Sequence, residues 1–292
     1  MMTLETQSKI LLLNTGKNKA SAIRAALPDT EIKSIYLRNC IVHIASKNTV
    51  NIIYKNQIIP NNFTKLFIRR VGDHELLGGI IAEHFKTLGV SVTDPITLYF
   101  GNADSKLAQM SRLANHGFIV PESFIAHKES FAGNREYFKS RMSFPLVYKQ
   151  TGSKGEQVYK IDSIEALEAK IESLNKTTLF MIQTLIPNSF DTRTIVAYGK
   201  VLGSIKRTAK AGNFHNNFSL GGSVEKFELT ELEKDIAIRA AKVCKLDLAG
   251  VDFIHTDTEP IILELNKSPQ TNGFEKIFGE NVVFTEIAKL LV

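Results

Sequence analysis

The segment KLFIRRVGDHELLGGIIAEHFKTLGVSVTDP does most to restrict the fold, because it reads as strand, loop, helix and strand in direct succession. The N-terminal stretch SKILLLNTGKNKASAIRAALPD opens the same way, with a short buried strand, a loop at Gly16, a helix to about Leu27 and a stop at Pro28. Strands that alternate with helices pair in parallel through helical crossovers, so the chain should begin with an α/β domain that ends near residue 100. Gly16 belongs to no G-x-G-x-x-G fingerprint, and dinucleotide binding is not supported.

The chain has 292 residues, 43% hydrophobic and 23% charged, which is ordinary for a soluble globular enzyme of two or three small domains. Its early apolar run ILLL is too short for a signal sequence or a membrane span, so the expected compartment is cytoplasmic, with no membrane partner. Cys40 and Cys244 lie far apart outside any C-x-x-C, against a disulfide framework or a structural zinc site, and the seven histidines show no metal-ligand spacing. The formal charge of +6 is spread along the chain, which suits a phosphate-bearing small ligand as well as a nucleic acid.

Further along, NADSKLAQMSRLANHG predicts a helix from about Asp104 or Ser105 to Gly117, with Leu107, Met110, Leu113 and Ala114 facing a core. FPLVYKQTGSKGEQVYKI reads as strand, glycine loop and strand, followed by a helix opened by Asp162 and Glu165 in capping-box spacing. LFMIQTLIP precedes FDTRTIVAYGKVLGSIKRTA, a hairpin turning at Gly199. The next helix carries a capping box at Thr230 and Glu233 and core positions at Leu232, Ile236, Ala240 and Val243, with Cys244 also in the core.

The last hairpin carries the chemistry. LDLAGVDFI and IILELN flank a turn signal, so Asp252 can meet Glu264 across the pair. Glu264 and Asn266 share one strand face, and Leu263 and Leu265 the other. Two carboxylates about 4 Å apart repel by roughly 1 to 4 kcal/mol. A hard divalent cation between them fits oxygen donors of this kind, and a solvated edge hairpin is the other reading.

Lys149 ends an otherwise apolar strand, and Gly152 and Gly155 open the loop after it, where backbone N–H groups could approach an anion. An ordinary hairpin turn explains the same glycines, and no Walker sequence is present. Asp191 and Arg193 share a strand face and could form a surface ion pair worth ~0 to 1 kcal/mol.

Taken in order, the lysine, the glycine loop, the apolar segment 179–186, the basic strand at 206–207 and the acid triad resemble the ATP-grasp superfamily, specifically the RimK family of ribosomal-protein glutamate ligases. The resemblance covers about residues 66–285 and is most specific in IKRTAKAGNFHNNFSLGG, LDLAGVDFI and LELNKSPQTNGFEKIFG, with support from FIRRVG and SKLAQMSRLANHG. It implies an ATP-grasp fold of α/β (α+β) class behind a parallel-sheet pre-ATP-grasp domain at 1–100. A central subdomain with the glycine loop would fill 101–184, and a C-terminal subdomain with the metal site 185–292.

It further implies that Asp252, Glu264 and Asn266 bind Mg²⁺, with Mn²⁺ as the substitute, and that Lys106 and Lys149 reach the phosphates of ATP beneath a lid containing Gly152, Ser153 and Gly155. Gln183, Thr184 and Leu185 would form the hinge that pairs with adenine, Asp191 would lie at the ribose, and Arg207 near the transferred phosphoryl group, with Asn217 in the same matched loop. Three positions depart from the family: Thr184 where a hinge Glu is common, Gln157 for a loop glycine, and His215 for an arginine.

The implied activity is ATP-dependent carboxylate–amine ligation, with ADP and phosphate as products. A carboxylate must first become an acylphosphate, because oxide is too poor a leaving group. Its substrates would be an amino acid, a peptide or a protein tail; self-association is left open. An ATP-binding scaffold without turnover is a second reading, and a basic nucleic-acid binder with salt-sensitive retention a third.

Overall fold

The computed structural model describes residues 9–68, 74–93, 105–150, 158–208, 223–256, 258–283 and 285. Its contacts divide the chain into two compact units, one of Met1–Ala45, Thr49–Ser111 and Glu122–Thr184, the other of Ser46–Asn48, Arg112–Pro121 and Leu185–Val292.

The first unit opens with the expected alternation. Strands β1 (Lys9–Leu13) and β2 (Glu31–Ile35) flank helix α1 (Lys17–Ala26), which ends at Leu27 just before Pro28. After strands β3 (Cys40–Ser46), β4 (Thr49–Tyr54) and β5 (Gln57–Ile58), the chain returns as β6 (Lys65–Ile68), α2 (Glu75–Thr87) and β7 (Ser91–Thr93). A parallel sheet of order β2-β1-β6-β7 results. Leu11, Leu12 and Leu13 are all buried in it, as an uninterrupted apolar run requires when helices cover a parallel sheet.

Strands β3 to β5 do not join that sheet. They extend a seven-stranded sheet of order β10-β9-β11-β8-β3-β4-β5, built with β8 (Ser123–His127), β9 (Leu146–Gln150), β10 (Val158–Ile161) and β11 (Leu179–Thr184). The pairings β9–β10, β9–β11, β8–β11, β3–β8 and β4–β5 are antiparallel. Helices α4 (Lys128–Ala132), α5 (Arg135–Lys139) and α6 (Ile164–Glu172) belong to the same unit. Its core combines aliphatic residues with an aromatic cluster: Phe138 meets Phe124 and Phe131 edge-on with ring centroids 5.1 Å apart, and Tyr148 stacks on Phe180 at 5.6 Å. Rings of this size each contribute about 1.5–3 kcal/mol when buried.

Helix α3 (Lys106–Asn115) buries Leu107, Met110, Leu113 and Ala114, the four residues its periodicity marked. It closes at Gly117, whose φ of +80° suits glycine. Helix α6 begins differently from the expectation: Ser163 is the N-cap, accepting from the Ala166 N–H at 3.2 Å, while Asp162 pairs with Lys160 at 2.7 Å. Serine caps as well as aspartate, and placing it at the cap moves the helix start one residue on.

The second unit carries a five-stranded antiparallel sheet, β14-β13-β12-β15-β16, formed by β12 (Asp191–Ala197), β13 (Lys200–Thr208), β14 (Ser223–Lys226), β15 (Leu248–Ile254) and β16 (Ile261–Asn266). Tyr198 and Gly199, at φ +47° and +74°, make the tight turn between β12 and β13. Helix α7 (Glu231–Val243) packs on β12, β13 and β15, and α8 (Asn272–Phe278) on β13 and β14. The Thr230–Glu233 capping box forms, and Ile236, Ala237, Ala240 and Ala241 face inward with Cys244. Leu232, expected in that core, is half exposed at 50%: it lies in line with Ile236 and Ala240 but in the first turn after the Thr230 cap, where the stripe begins.

Phe274 and Phe278 stack at 4.3 Å and press on Gly203, where an added Cβ would lie 2.8 Å from the Phe278 ring. Among the described residues no helix is long and apolar enough to cross a membrane.

Candidate active site

Alternation along β12 puts Asp191 and Arg193 on one face of the five-stranded sheet. Register places Arg207 of β13 opposite Asp191, Asp252 of β15 opposite Arg193, and Glu264 of β16 opposite Asp252. Five charged side chains from four strands therefore converge with Asn266. Arg193 grips Asp252 with both prongs, Nε donating to Oδ1 at 2.8 Å and a terminal nitrogen to Oδ2 at 2.7 Å. Arg207 bridges two acids, donating to Asp191 at 2.6 Å and to Asp252 at 2.9 Å. The suggested Asp191–Arg193 surface pair is not formed. Each takes a cross-strand partner instead, Asp191 on β13 and Arg193 on β15.

These groups are deeply placed: Asp191, Arg207 and Asp252 are 6%, 5% and 3% exposed. Burial by itself would raise the Asp252 carboxyl, but the guanidiniums of Arg193 and Arg207 outweigh it and hold the group at about 2. Asp191 goes the other way. Burial pushes it up to about 6 despite Arg207, with the neighbouring Asp252 charge adding to the rise. Burial opposes the charge of Arg207, yet the two acids beside it keep its guanidinium raised above the ordinary value.

The Asp252–Glu264 pairing was legible as a hairpin, but a bulge follows it: Phe253 opposes Ile262, leaving Leu263 as the extra residue. In consequence Ile262 and Leu265 are the buried pair of β16, and Leu263 does not share the buried face expected for it. The Asn266 amide nitrogen sits 2.9 Å from Glu264 and 3.4 Å from Asp252, occupying the position between two carboxylates where positive charge is needed. Gly250 lets the following loop close over this end, because Pro269 stands 2.7 Å from where a Cβ would be. Two carboxylates and an amide that can turn its oxygen inward form a hard-oxygen donor set, and the residues present fit Mg²⁺.

In the other unit, β9 and β11 carry a second polar group. The Lys149 ammonium donates to the Gln183 side-chain oxygen at 2.6 Å, and the Gln183 amide donates to Ser123 at 3.0 Å. Gln183 is 2% exposed, so its side chain orients the lysine while leaving the positive charge uncancelled by that bond. The Thr184 N–H is taken by the Glu122 carbonyl at 2.9 Å. Lys106 opens α3, and Leu185 follows β11. Gly152, Ser153, Gly155, Gln157, His215 and Asn217 lie outside the described residues.

The structure thus brings Asp191, Arg207, Asp252, Glu264 and Asn266 together in one unit and Lys149 with Gln183 in the other. Arg193 escaped the sequence-derived set, although its shared face with Asp191 was the available signal. The side-chain role of Gln183 had no signal at all.

Residues 103–291 match the model of the RimK-like ATP-grasp domain. A probable alpha-L-glutamate ligase of Trichodesmium erythraeum is 30% identical over 251 residues, 85% of this chain and 82% of the relative. One from Cellvibrio japonicus is 29% identical over 284 residues, 94% of this chain and 92% of its own length. A D-alanine–D-alanine ligase from Bacillus anthracis, solved with ATP, shares the fold at a TM-score of 0.51 and 16% identity, with 96% of this chain and 92% of that one covered. This chain belongs to the RimK-like ATP-grasp family of ATP-dependent carboxylate–amine ligases.

Proposed function

We propose that the protein joins the amine of L-glutamate, or of a closely similar amino acid, to the terminal carboxylate of a peptide or protein tail. The observation that carries this reading is the Arg193–Asp252–Arg207–Asp191 chain beside Glu264 and Asn266. It sets two fixed guanidiniums next to a hard-cation donor set, which suits the transfer of a phosphoryl group to a carboxylate. The relatives named probable alpha-L-glutamate ligase support glutamate as a substrate.

In the first step a carboxylate oxygen attacks the terminal phosphorus of ATP and ADP departs. The amine nitrogen then attacks the acyl carbon, the bond to phosphate breaks, and a proton leaves the nitrogen. Mg²⁺, replaceable by Mn²⁺, would be held by Asp252, Glu264 and Asn266 and would neutralise phosphate charge. Arg207 stabilises charge that builds during transfer, and Arg193 keeps Asp252 ionised and aimed. Lys149, oriented by Gln183, binds phosphate in the ground state, as does Lys106.

Gly152, Ser153 and Gly155 belong to the covering loop in this reading, Gln183 to Leu185 to the adenine hinge, Asp191 to the ribose side, and Asn217 to the segment beside the metal. The division into 1–100, 101–184 and 185–292 is its domain partition, and the cytoplasm its compartment.

The test is incubation with ATP, Mg²⁺, L-glutamate and a glutamate-ended peptide, read by phosphate release, nucleotide chromatography and mass spectrometry. ADP and a peptide lengthened by one residue are expected. AMP with pyrophosphate would overturn the acylphosphate route, and bound ATP that is never consumed across amino acids and peptides would favour a scaffold.

A further inference from the structure

Behind the charged cluster, on the opposite face of the same sheet, a second hydrogen-bonded line runs from the start of α7 to the middle of the site. Thr192 lies between Asp191 and Arg193 on β12, is fully buried, and by alternation points away from both. Its hydroxyl meets His255 Nε2 at 2.8 Å, and His255 Nδ1 meets the Glu233 carboxylate at 2.6 Å. A carboxylate only accepts, so Nδ1 carries the proton that Glu233 receives, and Nε2 is left to share a hydrogen bond with the threonine hydroxyl. The second oxygen of Glu233 receives the Thr230 N–H at 2.8 Å and its hydroxyl at 2.9 Å.

Three phenylalanines flank the imidazole. Phe227 lies 4.6 Å away, Phe190 stacks at 5.8 Å and Phe253 stands edge-on at 6.4 Å, centroid to centroid. The His255 side chain is 15% exposed and that of Glu233 13%. Lys206, opposite Thr192 on β13, covers Phe190 from 4.7 Å and pairs with Glu225 at 2.7 Å. A helix cap, a caged ring and a buried hydroxyl therefore hold the one residue of β12 whose two chain neighbours grip Arg207 and Asp252.

We propose that His255 is a positioning residue for the ligase reaction: through Thr192 it sets the placement of Asp191 and Arg193, and through them of Arg207 and Asp252. This inference rests on the functional reading given above. His255 never touches substrate in this scheme; it acts by denying β12 the small shifts that would loosen the two guanidiniums from the position they take in phosphoryl transfer.

Four variants test it. His255→Phe keeps a ring among the three phenylalanines and loses both hydrogen bonds, Thr192→Val removes only the hydroxyl, Thr192→Ser retains it, and the double variant His255→Phe/Thr192→Val cuts the same link twice. ADP release is measured with ATP, Mg²⁺, L-glutamate and a glutamate-ended peptide. The expected result is a fall in kcat of about tenfold for His255→Phe and for Thr192→Val with KM for ATP changed less than about twofold, since a positioning defect acts on the barrier. Thr192→Ser should stay within about twofold of the parent, and the double variant should fall no further than either single one.

Urea unfolding supplies a readout that needs no substrate. The stability lost in His255→Phe/Arg207→Ala should be less than the sum of the single losses, because both changes loosen the same strand position. Strict additivity there, or unchanged kcat in both Thr192→Val and His255→Phe, would overturn the proposal. Arg207→Ala run beside them separates the two levels: if it collapses turnover while the His255 and Thr192 variants do not, this inference alone fails. If Arg207→Ala itself turns over normally, the functional reading fails and this inference with it.

Discussion

Replacing Arg207 by Ala should destabilise the free protein far more at pH 8 than at pH 5, and the reason lies in how its two acids are partnered. Asp252 keeps both prongs of Arg193 when Arg207 is removed, but Asp191, 6% exposed, loses its guanidinium at 2.6 Å. Stranding one partner of a buried ion pair costs about 3–5 kcal/mol when the remaining group must stay charged. Asp191 has a way out, because burial already pushes its carboxyl up to about 6.

The sign follows from linkage. A carboxyl whose folded value lies above the unfolded one, about 3.9, favours folding fully below that lower value and loses the contribution as pH rises through the higher. At pH 5 the group is mostly protonated in both proteins, and the variant loses little beyond packing. At pH 8 the group is ionised in the parent, and removing Arg207 raises its folded value further, which costs about 1.4 kcal/mol for each unit of rise up to that pH. Urea unfolding without nucleotide at the two pH values checks this. Adding Asp191→Asn to Arg207→Ala should remove most of the pH dependence. Equal losses at pH 5 and pH 8, or a loss under about 1 kcal/mol at pH 8, would refute the reasoning.

Lys149→Ala should weaken ATP binding about tenfold or more in calorimetry, a loss of about 1.4 kcal/mol, and Gln183→Ala should weaken it less by releasing rather than deleting the ammonium. Glu264→Ala should abolish turnover and remove the EDTA sensitivity of fluorescent-nucleotide binding; a variant as active as the parent would discard the metal assignment. Gly250→Ala should cost about 1–3 kcal/mol in unfolding experiments, because its Cβ would stand 2.7 Å from Pro269, and should weaken Mg²⁺-dependent nucleotide binding by displacing the loop after Asn266. Acid unfolding should include a contribution from Asp252: held at about 2, its stabilisation is complete above about pH 4 and disappears as pH falls through 2, so Asp252→Asn should flatten that part of the profile.

Much that is local was legible. The Thr230–Glu233 box, the Tyr198–Gly199 turn and the buried stripe of α3 each follow from residues within a few positions of one another, where backbone geometry leaves few choices. The meeting of Asp252 with Glu264 was legible too, because a strand alternates with period two and a turn joined the two runs. Even here the bulge that replaced Leu263 by Ile262 in the buried pair escaped, since one extra residue in a ladder leaves no mark on composition.

What the sequence could not supply was choice of partner between strands distant along the chain. Nothing in DTRT says that Arg193 reaches across to Asp252 while Asp191 takes Arg207, or that Thr192 between them is tied to a histidine 63 residues away. Nor does the stretch holding β3 to β5 announce that it leaves the parallel sheet to lengthen the antiparallel one. Residue types and their alternation set which chemistry was available and which side chains shared a face. Sheet register, a property of the assembled ladder, decided which charges met, and burial within that ladder then divided two chemically identical aspartates into one held at about 2 and one pushed up to about 6.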